Sequence, residues 1–349
     1  MHKPENRLEQ EIQAAEVFAV TARAEWPLVG GSLLMMNPIP SAGLFDLQVN
    51  GFAGVDFQRP VSPEALHGAC LALRAAGMRR VLATLITDSL EALETKFHAL
   101  EACRRQDPVA RECIVGYHLE GPFLSAEPGY RGAHDPGWMR DPEWDVFARL
   151  QDAAAGGIRL VTLAPERSGS TRFIQKAVHS GVRVSLGHTN ASDDEISAAI
   201  EAGTTLCTHL GNGCPATLHR HDNIIHRLLA RDELTACFIP DGIHLPPQVL
   251  RNLIRAKPPG KVILTTDAMA AAGAAPGRYT LGAMELEVGP DAVVRLPGSA
   301  HFAGSALRLD HGVANAARWL DIPIALAAEF ASNAPAVALG YAVDPGAKP

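Results

Sequence analysis

The residues able to do chemistry sit where short apolar runs end. Glu120 closes the run in GYHLEGPFL, with His118 two residues behind it, and His188 follows the run in SLGHTNAS. His209 and Asn212 lie in CTHLGNG, His244 in IPDGIHL and Asp267 in LTTDAMA. A carboxylate and two imidazoles brought from three different strands to one rim make a three-ligand site with an open position, the form a catalytic divalent metal takes. DLQVNG places Gln48 and Asn50 two apart, hence on one face of a strand. Each residue also has a plain structural reading. A histidine at a strand end is more often a hydrogen-bonded structural group, Glu120 alone could cap a helix, and an acid past a strand end is commonly a turn or N-cap residue. Several such residues at the ends of different strands are far less probable as independent coincidences than as one shared site.

That conjunction needs a scaffold that brings strand ends together. Strand-like runs occur at Leu44–Asn50, Arg80–Ile86, Cys113–Leu119, Arg159–Ala164, Arg183–Gly187, Thr205–His209, Ala236–Pro240 and Val262–Thr266. Helix signals lie between them. Ser62 before Pro63 is an N-cap with proline in the first turn, Gly77 is a stop, Ser192 with Glu195 forms a capping box, and Gly203 closes that helix. Eight strand-then-helix units predict an α/β protein of the TIM-type (β/α)8 barrel class over residues 44–275, with a doubly wound open sheet as the competitor. Residues 1–43 and 276–304 are expected to form a small, reduced β-rich appendage from the chain flanks. Residues 305–349 are expected to supply C-terminal helices, over Leu307–Leu320 and Ile324–Ser332, that pack on the barrel.

Composition narrows the classes. The chain has 349 residues, 31 Lys plus Arg against 38 Asp plus Glu, and 47% hydrophobic residues, an ordinary globular balance with a net charge of −7. A mildly acidic chain is a poor fit to nucleic acid or an anionic membrane, so neither is expected as a partner. No run is long enough for a membrane span, and MHKPENRLEQEIQ is too acidic and polar for a signal peptide, which makes the cytoplasm the expected compartment. The six cysteines include no Cys-x-x-Cys pair, which argues against a disulfide scaffold and a thiolate zinc site.

HLEGPFL, GAHDP, SLGHTNAS, THLGNG, DGIHL and LTTDAMAAAG together resemble the motif series of N-acetylglucosamine-6-phosphate deacetylases in the amidohydrolase superfamily, in the same order, across roughly residues 43–305. The resemblance implies Glu120, His188 and His209 as metal ligands, Asp267 as the catalytic acid/base, and His134 and His244 as the histidines that hold substrate. His134, protonated or oriented as a donor, would also stabilise the tetrahedral oxyanion. Many amidohydrolases carry His-x-His at the end of the first strand. Here Gln48-Val49-Asn50 stands there, and because amides are weak ligands for zinc or iron this is expected to be a vestigial second-metal position in a protein with one metal ion per chain, Zn2+ or Fe2+.

Three departures from the family pattern bear on substrate. The family's Arg-Glu-Pro-Gly loop, whose arginine helps bind the sugar phosphate, often across a dimer interface, reads GCPATLHRHDNIIHR here. Arg220 keeps the arginine position, flanked by His219 and His221 in a loop that could form a cationic lip or simply be exposed surface. GNG replaces an aromatic-Asn-Ala string, leaving Asn212 and the Gly213 amide available for phosphate. The chain ends at GYAVDPGAKP, where relatives add strands. The leading expectation is a homodimeric enzyme that deacetylates N-acetylglucosamine 6-phosphate to glucosamine 6-phosphate and acetate. An amidohydrolase acting on a different N-acyl amino sugar, unphosphorylated or differently substituted, and a non-catalytic sugar-binding descendant are the alternatives, and retention of Asp267 speaks against the latter.

Overall fold

A computed structural model describes residues 43–298 and 304–341. Expectations that fall on residues 1–42, 299–303 and 342–349 lie outside the described residues.

Eight parallel strands run in the order β1 (Leu44–Val49), β4 (Met78–Ile86), β5 (Ile114–Glu120), β6 (Ile158–Leu163), β7 (Arg183–Leu186), β8 (Leu206–Cys207), β9 (Thr235–Phe238) and β10 (Val262–Leu264). Each coincides with one of the eight strand-like runs of the sequence. Short β2 (Gly51–Phe52) and β3 (Val55–Asp56) form a hairpin after β1. The crossovers are α1 (Pro63–Ala75), α2 (Leu90–Gln106) with α3 (Pro108–Cys113), α4 (Trp144–Ala153), α5 (Ser170–His179), α6 (Asp193–Glu201), α7 (Ile224–Leu229) and α8 (Pro247–Ala256). Their starts follow from capping chemistry: the Ser62 side chain accepts from the Ala65 N–H, and Ser192 and Glu195 exchange both bonds of a capping box. Gly77 and Gly203 adopt φ of 80° and 112°, which a Cβ disfavours.

The barrel closes between β1 and β10 through side chains and loops. Val49 bridges Ala268 in parallel at the C-terminal ends. Midway, buried Asp46 accepts hydrogen bonds from the hydroxyls of Thr265 and Thr266, each at 2.6 Å. At the N-terminal ends the gap is filled by the carbonyls of Phe330 and Ala331, which accept from Leu264 N at 2.8 Å and Phe45 N at 2.7 Å. These carbonyls belong to the helical tail α9 (Leu309–Leu320), α10 (Ile324–Glu329) and α11 (Asn333–Ala338). Ala336 of α11 joins Phe45, Leu82, Leu160, Leu206, Cys237 and Ile263 in an apolar cluster at that end of the barrel. This end is therefore plugged, and chemistry is confined to the other.

Higher in the interior the side chains turn polar. His118 Nε2 lies 2.8 Å from the Thr162 hydroxyl, which lies 2.7 Å from that of Thr208, itself 2.6 Å from Ser185 Oγ. This buried chain links β5, β6, β7 and the end of β8 beneath the rim, pairing His118 Nε2 and the three hydroxyls with one another. Beyond the rim, β11 (Gly277–Leu281), β12 (Met284–Val288) and β13 (Val294–Arg295) form an antiparallel sheet. Leu281, Leu286, Val288 and Val294 of this sheet pack on Met269, Ala270 and Ala271, just past Asp267.

Candidate active site

Glu120 is the last residue of β5, and three imidazoles surround its carboxylate. His209 Nε2 lies 3.0 Å and His188 Nε2 3.5 Å from Glu120 Oε1, while His134 Nε2 lies 3.8 Å from Oε2. All four side chains are buried. Burial would push the Glu120 carboxyl up, but the imidazoles gathered around it, His209 nearest, hold it well below the usual carboxylate range. His188, His209 and Asp267 follow the ends of β7, β8 and β10 with φ of 51°, 26° and 51°. Left-handed backbone is costly for such residues and gathers where function over-determines the conformation. Here it turns three side chains inward just past their strands.

The second nitrogen of each imidazole decides what the first can do. His188 Nδ1 lies 2.8 Å from the Tyr130 carbonyl oxygen, which can only accept. The proton is therefore on Nδ1, and Nε2 turns a lone pair toward Glu120. His134 is the opposite case. The Thr87 main-chain N–H donates to its Nδ1 at 3.4 Å, with the Thr87 hydroxyl 2.9 Å from the same nitrogen. An N–H cannot accept, so the proton sits on Nε2 and faces the site. Burial, reinforced by the neighbouring His188, pushes His134 down to about 3 against the pull of Glu120, so the ring is neutral. Of the two forms considered for His134, the neutral donor is the one this environment holds.

Glu120, His134 and His188 place one donor atom each within 4.8 Å of one another, and His209 is nearer still to Glu120. Two ligands on a tetrahedral ion about 2.05 Å away are roughly 3.3 Å apart, close to the separations from Glu120 to His209 and His188. Nitrogen and oxygen donors, buried and converging, fit a divalent metal. The lone pair on His188 and the N–H on His134 favour the set Glu120, His188 and His209 over one that includes His134.

Asp267 faces this group. Burial, with the charge of Glu120, pushes its carboxyl up to about 6, against the charges of His209 and His244 and a hydrogen bond from Asn50. Gln48 Nε2 and Asn50 Nδ2 both donate to Asp267 Oδ1, at 2.9 and 2.7 Å. Asp241 holds His244 through an Nδ1 contact of 2.6 Å and accepts from its main-chain N–H at 2.9 Å.

The loop after β8 carries the remaining candidates. Asn212 Nδ2 donates to the His209 carbonyl at 3.2 Å, and a Cβ on Gly213 would come within 3.0 Å of His188 Nδ1. Arg220 is exposed and forms no ion pair among the described residues, and His219 Nδ1 accepts from the Asp222 N–H at 2.9 Å. Among the described residues no hydrogen bond or ion pair links Arg220 to the buried cluster.

Sequence reasoning named no candidate after β4 or β6, and the structure fills both places. Thr87 sets the His134 tautomer. Glu166 accepts from the Asn190 N–H at 2.8 Å and from the Thr189 hydroxyl, clamping the turn that follows His188. Polar residues at those two strand ends, in LITD and LAPE, were the available signal.

A (β/α)8 barrel with glutamate, histidines and aspartate delivered to one rim by different strands defines a metal-dependent amidohydrolase. No family model matches the chain. The N-acetylglucosamine-6-phosphate deacetylase of Bos taurus is 36% identical over 313 residues, covering 86% of this chain and 75% of the bovine protein. An N-acetylgalactosamine-6-phosphate deacetylase of Shewanella sp. (strain ANA-3) is 33% identical over 320 residues, covering 90% and 78%. A solved mutant N-acetyl-D-glucosamine-6-phosphate deacetylase from Mycobacterium smegmatis, in complex with N-acetyl-D-glucosamine-6-phosphate, superposes with a TM-score of 0.79 at 34% identity over 87% of this chain and 78% of that one. The chain belongs to the N-acetylglucosamine-6-phosphate deacetylase family. Among the described residues no helix is long and apolar enough to cross a membrane.

Proposed function

We propose that the protein hydrolyses the N-acetyl group of N-acetylglucosamine 6-phosphate, giving glucosamine 6-phosphate and acetate. The observation that carries this reading is the placement of Asp267 opposite a Glu120, His188 and His209 donor set in a family member. Those three residues would hold one divalent metal, Zn2+ or Fe2+, which when bound supplies Lewis acidity and an acidified water. Asp267 accepts a proton from the attacking water and later returns it to the amine nitrogen as the C–N bond breaks, which spares the departure of an amide anion. The neutral His134 donates its Nε2–H to the carbonyl oxygen as charge develops there, a role typically worth about 3 kcal/mol per donor. His244, fixed by Asp241, orients the sugar. Asn212, the Gly213 amide and Arg220 receive the phosphate.

Relatives named for the galacto epimer stand at nearly the same identity as those named for the gluco epimer, which makes N-acetylgalactosamine 6-phosphate the second substrate to weigh. The deciding experiment measures acetate and free amine released from both phosphorylated sugars and from unphosphorylated N-acetylglucosamine. The proposal expects the highest kcat/KM with N-acetylglucosamine 6-phosphate, and preference for the unphosphorylated sugar overturns it. The family's inter-subunit phosphate loop supports a homodimer, which light scattering on the purified protein checks.

A further inference from the structure

We propose that Gln48 and Asn50 are positioning residues that hold Oδ1 of Asp267, so that Oδ2 is the oxygen that carries the proton. The inference rests on the reading of Asp267 as the proton carrier and adds the atom that acts and the groups that select it.

The two oxygens of a carboxylate are chemically equal, and the torsion that exchanges them is soft. Two amide N–H groups on one oxygen, at 2.9 and 2.7 Å, remove that equality. Each is a hydrogen bond to an ionised acceptor, and both donor side chains are only 2% exposed, so water competes little for either. Oδ1 becomes the less basic oxygen and Oδ2 keeps its lone pairs for the reaction. The amide orientation is dictated as well, since turning either amide over would set its carbonyl oxygen against the carboxylate.

The backbone supports the same geometry. The N–H groups of Asn50 and Gly51 donate to the Ala268 carbonyl at 2.7 and 3.2 Å, so the end of β1 is stitched to the residue after Asp267. Gln48 of β1 and Asn50, which follows the last residue of the strand, are two positions apart, and both reach the same oxygen. Among the described residues no group donates to Asn50 Oδ1, although that atom is buried. An amide retained only for packing would carry that cost without return. In the step itself an O–H bond of water breaks, its proton passes to Oδ2, and the electron pair stays on the water oxygen, which bonds the carbonyl carbon as the C=O π pair moves onto the carbonyl oxygen. On collapse the C=O bond re-forms, the C–N bond breaks with its pair on nitrogen, and the same proton leaves Oδ2 for that nitrogen.

The test is a double-mutant cycle with N-acetylglucosamine 6-phosphate. Gln48→Met and Asn50→Leu each remove one donor, and each is expected to lower kcat roughly tenfold with KM and metal content unchanged. In an Asp267→Asn background, read under single-turnover conditions, neither should lower the residual rate further. Loss of the same size in that background overturns the proposal, and so does a rise in KM with kcat intact. Gln48→Glu is the second measurement. A positioning role predicts that it is slower than Gln48→Met, because a second carboxylate repels Asp267, with one metal ion still bound. A gain of a second tight ion would instead make position 48 a metal ligand. A wild-type protein that releases no acetate from any N-acetyl sugar defeats the functional reading, whereas an active wild type with additive variants defeats this inference alone.

Discussion

His188 donates its Nδ1 proton to the carbonyl oxygen of Tyr130 at 2.8 Å, whereas His134, with ring centroids only 4.5 Å away, accepts at Nδ1 from the main chain of Thr87. One contact frees a lone pair toward Glu120 and the other presents an N–H. Two neighbouring imidazoles are thereby given different work by a carbonyl and an amide in different loops.

Metal content should follow that difference. His188→Ala and His209→Ala are expected to lose both the ion and activity, while His134→Ala keeps about one ion per chain and loses rate. Elemental analysis after gel filtration reads the outcome. Loss of the ion from His134→Ala would place that residue in the donor set instead.

Asp267→Asn should keep the fold, the metal and KM while lowering kcat by two or more orders of magnitude, since general acid/base groups contribute about 10²–10⁴-fold. The amide is nearly isosteric but cannot take the proton. Retention of more than about a tenth of wild-type turnover would assign the base elsewhere.

Much of this architecture is legible in the sequence because barrel strands and catalytic side chains are local features. Glu120, His188, His209 and Asp267 each end an apolar run, and period, length and turn chemistry identify such runs without knowledge of the fold. The partners of those residues are not local. Asn50 meets Asp267 across 217 positions and Thr87 meets His134 across 47, and Tyr130 acts through its backbone, where any residue would supply the same carbonyl. Gln48 and Asn50 read as what remains of a metal position because their residue types exclude strong ligation. Their actual contact becomes visible only when β1 is set beside the loop after β10. The closure of the barrel by Phe330 and Ala331 is likewise a main-chain event that leaves no trace in side-chain pattern.

Gly213→Ala tests how tightly His188 is held. Gly213 has φ of 61°, and a Cβ there would lie 3.0 Å from His188 Nδ1 and 3.1 Å from its Cε1. A β-carbon in left-handed backbone costs about 1–2 kcal/mol, and the ring would also be pressed off the Tyr130 carbonyl. The variant should melt a few degrees lower and release its metal faster to a chelator. Unchanged chelator kinetics would mean that the loop moves aside without disturbing the ligand.

Arg220 carries the prediction that separates phosphorylated from unphosphorylated substrates. Its side chain is exposed and unpaired by any acid among the described residues, so a phosphate dianion would not have to displace an internal partner. Asp222, two residues on, is engaged by Arg227 at 2.6 Å and does not compete for Arg220. Arg220→Ala should therefore raise KM for the 6-phosphate substrate by an amount equivalent to about 1.5–3 kcal/mol, the scale of one charged hydrogen-bonding contact, with kcat little changed. Activity toward the unphosphorylated sugar should hardly move. Raising the salt concentration should narrow the gap between wild type and variant, because an exposed charge pair is screened. If Arg220→Ala impairs both substrates equally, this loop supports the fold of the rim and the phosphate is held by other groups.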